Sequence, residues 1–418
     1  MLLDFSVKNF MSFRDEVTLS MEKGIGDENL DNVFKLENIN LLKNAIIYGA
    51  NASGKSNLLE ALKSALYIIR NSDKFLPNEE IYGVEPFKFD EVSYKKPTEF
   101  KFNFIKNKKR YYYAFSLTKN KVIDEQLEVY NSQKSTTIFK REKTNNYKFL
   151  NSDKRILESI KDRTSSNKLF LTTATTWNYE KTKEAFTWFL EDLQVFINFD
   201  EMYKHTLIEY KNNDKLKKFT LNLLKKSDIL ISDMDIDYEY EQVNPNVRYE
   251  QGNYILNKPF RLKNININFS HNFKKDDKIN TYILDFKYES FGTKKLFVLA
   301  PLLKQAFEKN CVLFIDEFEK NLHPNLVEYI VKLFNDKNIN KANSQLIFTT
   351  HAVNLLNLDL VRRDQIWFTE KNSKNGVTDL YPLDSFNVRK DENIQKGYIM
   401  GRYGAIPFIN GAESWEEE

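Results

Sequence analysis

A single cysteine, Cys311, stands among 418 residues, so neither an intrachain disulfide framework nor a cysteine-rich zinc site is possible, and the usage fits a reducing compartment. Long hydrophobic runs are missing too. The longest, Leu296 to Leu303, falls far below the roughly 18 residues that would span a bilayer, and Asp4 and Lys8 interrupt the N-terminus where a secretory apolar stretch would sit. A cytoplasmic chain with no membrane partner is expected. No sign of charge dominates, since 62 basic against 59 acidic residues leave a net charge of +3, so any nucleic-acid site has to be local. Glycine is scarce at 12 and histidine at 4, so those gathered in short segments carry more information than usual. There is no internal repeat and no Pro/Gly/Ser-rich linker, and domain boundaries can be drawn only where the pattern shifts.

At about 150 residues per domain the length allows two or three domains, or one large α/β domain with an insertion. Leu3, Phe5 and Val7 alternate with Asp4, Ser6 and Lys8, the period of a half-buried strand. The apolar run Asn44 to Tyr48 precedes a glycine loop, after which Leu58, Leu59, Leu62, Leu66 and Ile69 fall on one helical face. EFKFNFI and RYYYAFSL flank the basic turn KNKK as a hairpin, and Val122 to Tyr130 continues the alternation. Ser152 to Ser227 reads as helical, with Lys181 to Phe196 and His205 to Leu224 as its longest stretches, and Asp235 to Phe286 returns to strand pattern. Lys294 to Phe307 is an amphipathic helix, and Val312 to Ile315 and Leu346 to Phe348 are buried parallel strands. The fold expected is α/β with a mixed central sheet. It comprises an N-terminal lobe (1–150) rich in antiparallel strands, a helical then β insertion (151–285), and a C-terminal lobe (286–418).

Gly49-Ala-Asn-Ala-Ser-Gly-Lys-Ser56 matches the P-loop pattern between a strand and a helix, the context the motif requires. Glycines let the backbone wrap a phosphate chain, and the N–H groups of the helix start face the anion. Lys55 would reach the β- and γ-phosphates and Ser56 would ligate Mg²⁺. Asp316 and Glu317 end the apolar strand VLFI, where open α/β sheets bind ligands. Asp316 suits the Mg²⁺ water shell and Glu317 a general base. His351 follows SQLIFTT and would hydrogen-bond a γ-phosphate or the attacking water. Ser290 or Thr293 is an ordinary helix cap by position, but Lys294 and Lys295 in the first turn oppose the helix dipole, a placement more easily understood with an anion docked there. Lys106, Lys108, Lys109 and Arg110, followed by Tyr111 to Tyr113, are either a solvated hairpin tip or a nucleic-acid contact.

GANASGKSNLLEAL, ESFGTKKLFVLA, VLFIDEFEKNLHP and QLIFTTHAVNLL, in this order, resemble the Walker A, signature, Walker B with D-loop, and H-loop segments of ATP-binding-cassette heads of the SMC and RecF type. The opening LLDFSVKNFMSF looks like the first strand of RecF-like heads. The signature ES-x-GT and the segment KGYIMGRYGAIPFI are similar to RloA-like and AbiL-like AAA ATPases of bacterial phage-defence and abortive-infection loci.

The resemblance implies an ABC-like head that binds ATP and Mg²⁺ and hydrolyses ATP to ADP and phosphate. Gly49, Asn51, Ser53, Gly54, Lys55, Ser56 and Asn57 would form the nucleotide cradle, Ser56 and Asp316 would serve the metal, and Glu317 and His351 would serve catalysis. It implies an ATP-sandwich homodimer or higher homo-oligomer, in which Ser290 and Gly292 of one subunit cap the γ-phosphate held by the other. Two departures stand out: Ala52 replaces a glycine usual in the SMC loop, and the signature keeps one glycine where transport cassettes have two. Unlike OLD-type relatives, no acidic Toprim nuclease segment is expected before the tail ESWEEE, so a nuclease-like or toxin effector would be a separate chain. The rival readings are a RecF-like DNA-repair ATPase and a nucleotide-dependent scaffold of low turnover.

Overall fold

Alternation in the first 150 residues builds a seven-stranded antiparallel sheet from β1 (Leu2–Lys8), β2 (Val17–Ser20), β6 (Thr98–Lys106), β7 (Lys109–Leu117), β8 (Val122–Tyr130), β9 (Ser135–Glu142) and β10 (Asn146–Phe149), in the order β10-β9-β8-β7-β6-β1-β2. The computed structural model describes residues 1–131, 134–242, 247–250, 253–256, 260–275, 278–389 and 392–407, so the tail ESWEEE lies outside the described residues. The chain divides into two compact units: residues 1–197, 306–320 and 327–418 form the first, and 198–305 with 321–326 the second.

In the first unit, cross-strand register places aromatics on one buried face: Phe5 opposite Phe102, Phe100 opposite Phe115, and Phe102 opposite Tyr113. Phe104 stacks on Trp188 at 4.1 Å, and Phe189 meets Phe102 edge-on at 5.0 Å, so the sheet buries this face on the segment before residue 193. Aromatic pairs of this geometry add about 0.5–1.5 kcal/mol each beyond area burial. Residues 154–192, assigned by pattern to the insertion, thus belong to this core.

A second sheet of the same unit carries the motifs. It joins β5 (Asn44–Gly49), β11 (Leu193–Phe196), β17 (Val312–Ile315), β18 (Gln345–Thr349), β19 (Ile366–Lys371) and β20 (Thr378–Pro382) in the order β11-β17-β18-β5-β19-β20. All pairings are parallel except β19 with β20, so the sheet is mixed as expected. A small ribbon of β3 (Val33–Leu36) and β4 (Ile39–Leu42) precedes β5. The helix Lys55–Asn71 buries Leu58, Leu59, Leu62, Leu66 and Ile69, the face its spacing indicated.

Lys181 to Phe196 is not one helix. The helix Glu180–Thr187 loosens into a π-turn, Trp188–Asp192, and the chain then extends as β11 beside β17. Arg70 stabilises the break: its guanidinium donates to the Phe189 carbonyl at 2.6 and 2.9 Å and to the Leu193 carbonyl at 2.7 Å. His205 to Leu224 is also interrupted. Asn212 is left-handed at φ 56°, and Asn213 caps the helix Asp214–Lys226 by accepting from Leu216 N–H at 3.0 Å.

The second unit contains β12 (Asp233–Gln242), β15 (Phe260–Lys275) and β16 (Lys278–Asp285) as an antiparallel sheet, and β13 (Val247–Glu250) with β14 (Asn253–Leu256) as a hairpin. Its helix Phe291–Glu308 contains Pro301, which has no N–H for the Phe297 carbonyl. Tyr210 supplies the missing donor, with its hydroxyl 2.6 Å from that carbonyl and its ring stacked on Phe297 at 4.4 Å.

Glu125, fully buried on β8, ties the antiparallel sheet to the helix Phe170–Thr176. It accepts from the backbone N–H groups of Phe170 and Leu171 at 2.6 and 2.8 Å and from the Tyr113 hydroxyl at 2.9 Å. Arg141, equally buried, lies 4.0 Å away and donates to the carbonyls of Thr144, Ser166 and Lys168. Glu125→Ala should cost about 3–5 kcal/mol, because it leaves a buried guanidinium and three donors without their carboxylate. Urea unfolding followed by fluorescence measures this, and Glu125→Gln, which keeps an acceptor, should cost less.

Candidate functional site

The strand order places the carboxyl ends of β17, β18 and β5 side by side, and each carries one motif: Asp316 and Glu317, Thr349 to His351, and the loop from Gly49. Gly49 has no space for a side chain, since a Cβ there would sit 2.6 Å from the Thr369 carbonyl. Gly54, with φ 113°, turns the loop into the helix. Ala52 is also left-handed, at φ 61°, so the departure from glycine costs about 1 kcal/mol of backbone strain.

Lys55 is buried, and its ammonium donates to the Gly49 and Ala50 carbonyls at 2.8 and 3.1 Å. Burial lowers its pKa, against the opposing pull of Asp316, Glu319 and Glu317. Ser53 is buried and bonded to Thr369 Oγ1 at 2.7 Å, whereas Asn51 and Ser56 face solvent. Asn57 points elsewhere: its amide donates to Ser12 Oγ at 2.8 Å. Thr378 Oγ1 lies 2.9 Å from both Ser12 Oγ and the Ser53 carbonyl, so β20 and the turn after β1 brace the loop from behind.

Thr349 connects the two neighbouring strand ends. Its hydroxyl donates to Asp316 Oδ1 and accepts from Glu317 N–H at 2.8 Å. Glu317 is left-handed at φ 44°, a strained conformation for a long side chain. Its carboxylate pairs with Lys320 at 2.8 Å, and this hydrogen bond holds its pKa below the ordinary carboxylate value. His351 has a lowered pKa, through partial burial first and the Lys55 ammonium second, a direction that favours the uncharged ring. Its backbone N–H donates to Glu319 Oε1 at 2.7 Å, while Glu319 Oε2 is buried without a hydrogen-bond partner.

These side chains fit Mg-triphosphate. The helix start offers N–H groups and a solvent-facing Ser56 hydroxyl, Asp316 provides a hard oxygen donor, and Lys55 is the loop's own cation. Among the described residues no group of three or more His, Cys, Asp or Glu could hold a metal ion. A cation here would complete its shell with phosphate and water oxygens. Beside the loop opens a cleft of about 730 Å³, lined by Ala50 to Ser53 together with Arg14, Phe89, Asp90 and Lys371. Phe89 is 72% exposed, and the Lys371 ammonium lies 5.8 Å from its ring centre.

Ser290 and Gly292 lie in the second unit. Ser290 is the helix cap: its hydroxyl accepts from Thr293 N–H at 3.1 Å. Lys294 donates to the Lys287 carbonyl at 2.8 Å, so its charge has a local partner. Two of the four basic side chains of the hairpin also have partners within the chain: Lys106 pairs with Asp192 at 2.8 Å and Lys109 with Glu184 at 2.9 Å, and the Tyr113 ring is buried.

Sequence reasoning missed Ser12, Glu319, Thr349, Thr369 and Thr378. Thr349 and Glu319 had a local signal, two positions before His351 and two after Glu317. The others act on loops remote from them in the chain.

The crystal structure of an SMC head bound to the C-terminal winged-helix domain of ScpA is similar over 91% of this chain and 97% of that chain, with 14% identity and a TM-score of 0.37. No curated protein matches the chain. Among the described residues no helix is long and apolar enough to cross a membrane. The profile of the family described as "AAA domain, putative AbiEii toxin, Type IV TA system" matches residues 45–357, three quarters of the sequence, and the chain belongs to that family.

Proposed function

We propose that this protein is a Mg-ATP-binding and hydrolysing ATPase of an anti-phage defence system, which dimerises on ATP and thereby controls a separate effector. The carrying observation is the convergence of Lys55, Asp316, Glu317 and His351 on three adjacent parallel strand ends. The family description, naming a toxin of a toxin–antitoxin system, supports the defence setting.

Each residue has a task in this reading. Lys55 exchanges the carbonyls of its own loop for β- and γ-phosphate oxygens. Ser56 and Asp316 would hold Mg²⁺, which when bound offsets phosphate charge. Glu317 leaves Lys320 and takes a proton from the attacking water. The His351 ring hydrogen-bonds that water or the γ-phosphate. The cleft beside Phe89 receives the nucleoside, with the exposed ring as a stacking face.

Lys55→Ala should abolish binding of a fluorescent ATP analogue, whereas Glu317→Gln should bind normally and lose about 10²–10⁴-fold in phosphate release. Wild-type turnover in Glu317→Gln would remove Glu317 from the base role.

Glu319 should act through His351. Glu319→Ala, which frees the His351 N–H, should lower turnover about tenfold with little change in ATP affinity, and Glu319→Gln, which keeps the acceptor, should stay close to wild type. Steady-state kinetics separates kcat from KM here.

Gly292 should act across a dimer. Light scattering of Glu317→Gln should show a doubled mass with Mg-ATP, and adding Gly292→Trp should return it to the monomer. A mass indifferent to nucleotide and to Gly292 would sink the sandwich.

A further inference from the structure

The segment GYIMGRYGAIP belongs to no phosphate-binding motif, yet its fold is tightly specified. The short helix Ile394–Ile399 is capped by Asn393, whose side chain accepts from Lys396 N–H at 2.8 Å. The chain then reverses through Gly401 and Gly404, both left-handed at φ 76° and 68°. Tyr398 and Tyr403 stack on Phe368 of β19 at 5.5 and 6.0 Å, and Tyr398 also packs on Tyr48, the residue before the first loop glycine, at 5.6 Å. Three hydrogen bonds fix the end of the segment. The Tyr398 hydroxyl donates to the Ala405 carbonyl at 3.0 Å, the Tyr381 hydroxyl to the Tyr403 carbonyl at 3.0 Å, and the Ala405 N–H to Glu370 Oε1 at 3.3 Å. Ala405 and Ile406 are thereby set into the cleft that Ala50 to Ser53 and Phe89 also line.

Stacked rings on two central strands are a costly way to place an ordinary surface loop. They fix the backbone that carries Ala405 and Ile406, and two apolar side chains held in one cleft with an exposed aromatic suit a flat, partly apolar ligand. We propose that residues 394–406 form the nucleoside-side wall of the nucleotide site, with Ile406 contacting the base or ribose, so that this segment governs affinity for the nucleoside and leaves the phosphates to the loop. The inference rests on the P-loop reading above and adds to it the part of the nucleotide this segment recognises.

Inorganic tripolyphosphate engages only the loop, whereas ATP engages loop and wall. Calorimetric titration with Mg²⁺ should therefore show Ile406→Ala weakening ATP roughly tenfold, the worth of one buried aliphatic contact, while tripolyphosphate affinity stays within about twofold of wild type. Tyr381→Phe, which frees the Tyr403 carbonyl, should move ATP in the same direction by a smaller factor, and unfolding midpoints establish that both variants are folded. Equal losses for both ligands, or no loss for either, would overturn the wall while leaving the loop intact. Failure of the wild-type protein to bind either ligand would instead refute the P-loop reading, and the wall with it.

Discussion

The Thr349 hydroxyl holds the site together. Strands β17 and β18 each end at the carboxyl edge of the sheet, and the backbone ties the turn that follows β17 to its neighbour through the Phe318 N–H, which donates to the Thr349 carbonyl at 3.1 Å. By donating to Asp316 and accepting from Glu317 N–H, Thr349 closes that turn from the neighbouring strand. The bond to a buried carboxylate is charge-assisted and lies in a low dielectric, where such bonds are strongest and an unpaired carboxylate is most costly. The same contact holds Glu317 in its left-handed conformation, offsetting a strain of about 1–3 kcal/mol. Asp316 is thus kept inside and Glu317 turned toward solvent, two adjacent carboxylates with different environments.

Lys55 is the counterpart on β5. An ammonium stripped of water needs partners, and here the loop's own Gly49 and Ala50 carbonyls provide them. These are neutral acceptors. A triphosphate would offer charged ones, so exchange is favourable without building a new cation site. The carboxylates of Asp316, Glu319 and Glu317 oppose the lowering of the lysine's pKa by burial, which couples the two motifs before any ligand arrives.

How much of this could be read from sequence follows from how local each signal is. Leu58, Leu59, Leu62, Leu66 and Ile69 announce their helix because a 3.6-residue period needs no other part of the chain. Phe100, Phe102 and Phe104 announce their strand in the same way. Leu193 to Phe196 does not: four residues carry no period, and their strand exists because β17 offers an open edge and Arg70 satisfies the carbonyls of the broken helix. The loop glycines were legible because only glycine meets their steric demands. Thr369, Thr378 and Ser12 were not, since a hydroxyl bracing a loop from a distant strand resembles any other strand threonine or turn serine.

The lysines at the signature show how a local explanation can displace a functional one. Lys294 and Lys295 in a first helical turn are unfavourable beside the positive end of the dipole, and a docked anion would relieve them. The Lys287 carbonyl and the rings of Phe286 and Phe291, 5.6 and 5.3 Å from the Lys294 ammonium, already do so for Lys294. Ser290 is likewise engaged as a cap, bonded to Thr293 N–H and 2.8 Å from the Thr293 hydroxyl. Charge and hydroxyl chemistry therefore weigh less in the signature than the sequence suggested. What remains is shape: Gly292 lies where a Cβ would be 3.0 Å from the Asn321 carbonyl, beside Phe291, 72% exposed. The Asn321 carbonyl takes the space a side chain at Gly292 would need, so the glycine, like Ser290 and Lys294, already has a partner within its own unit.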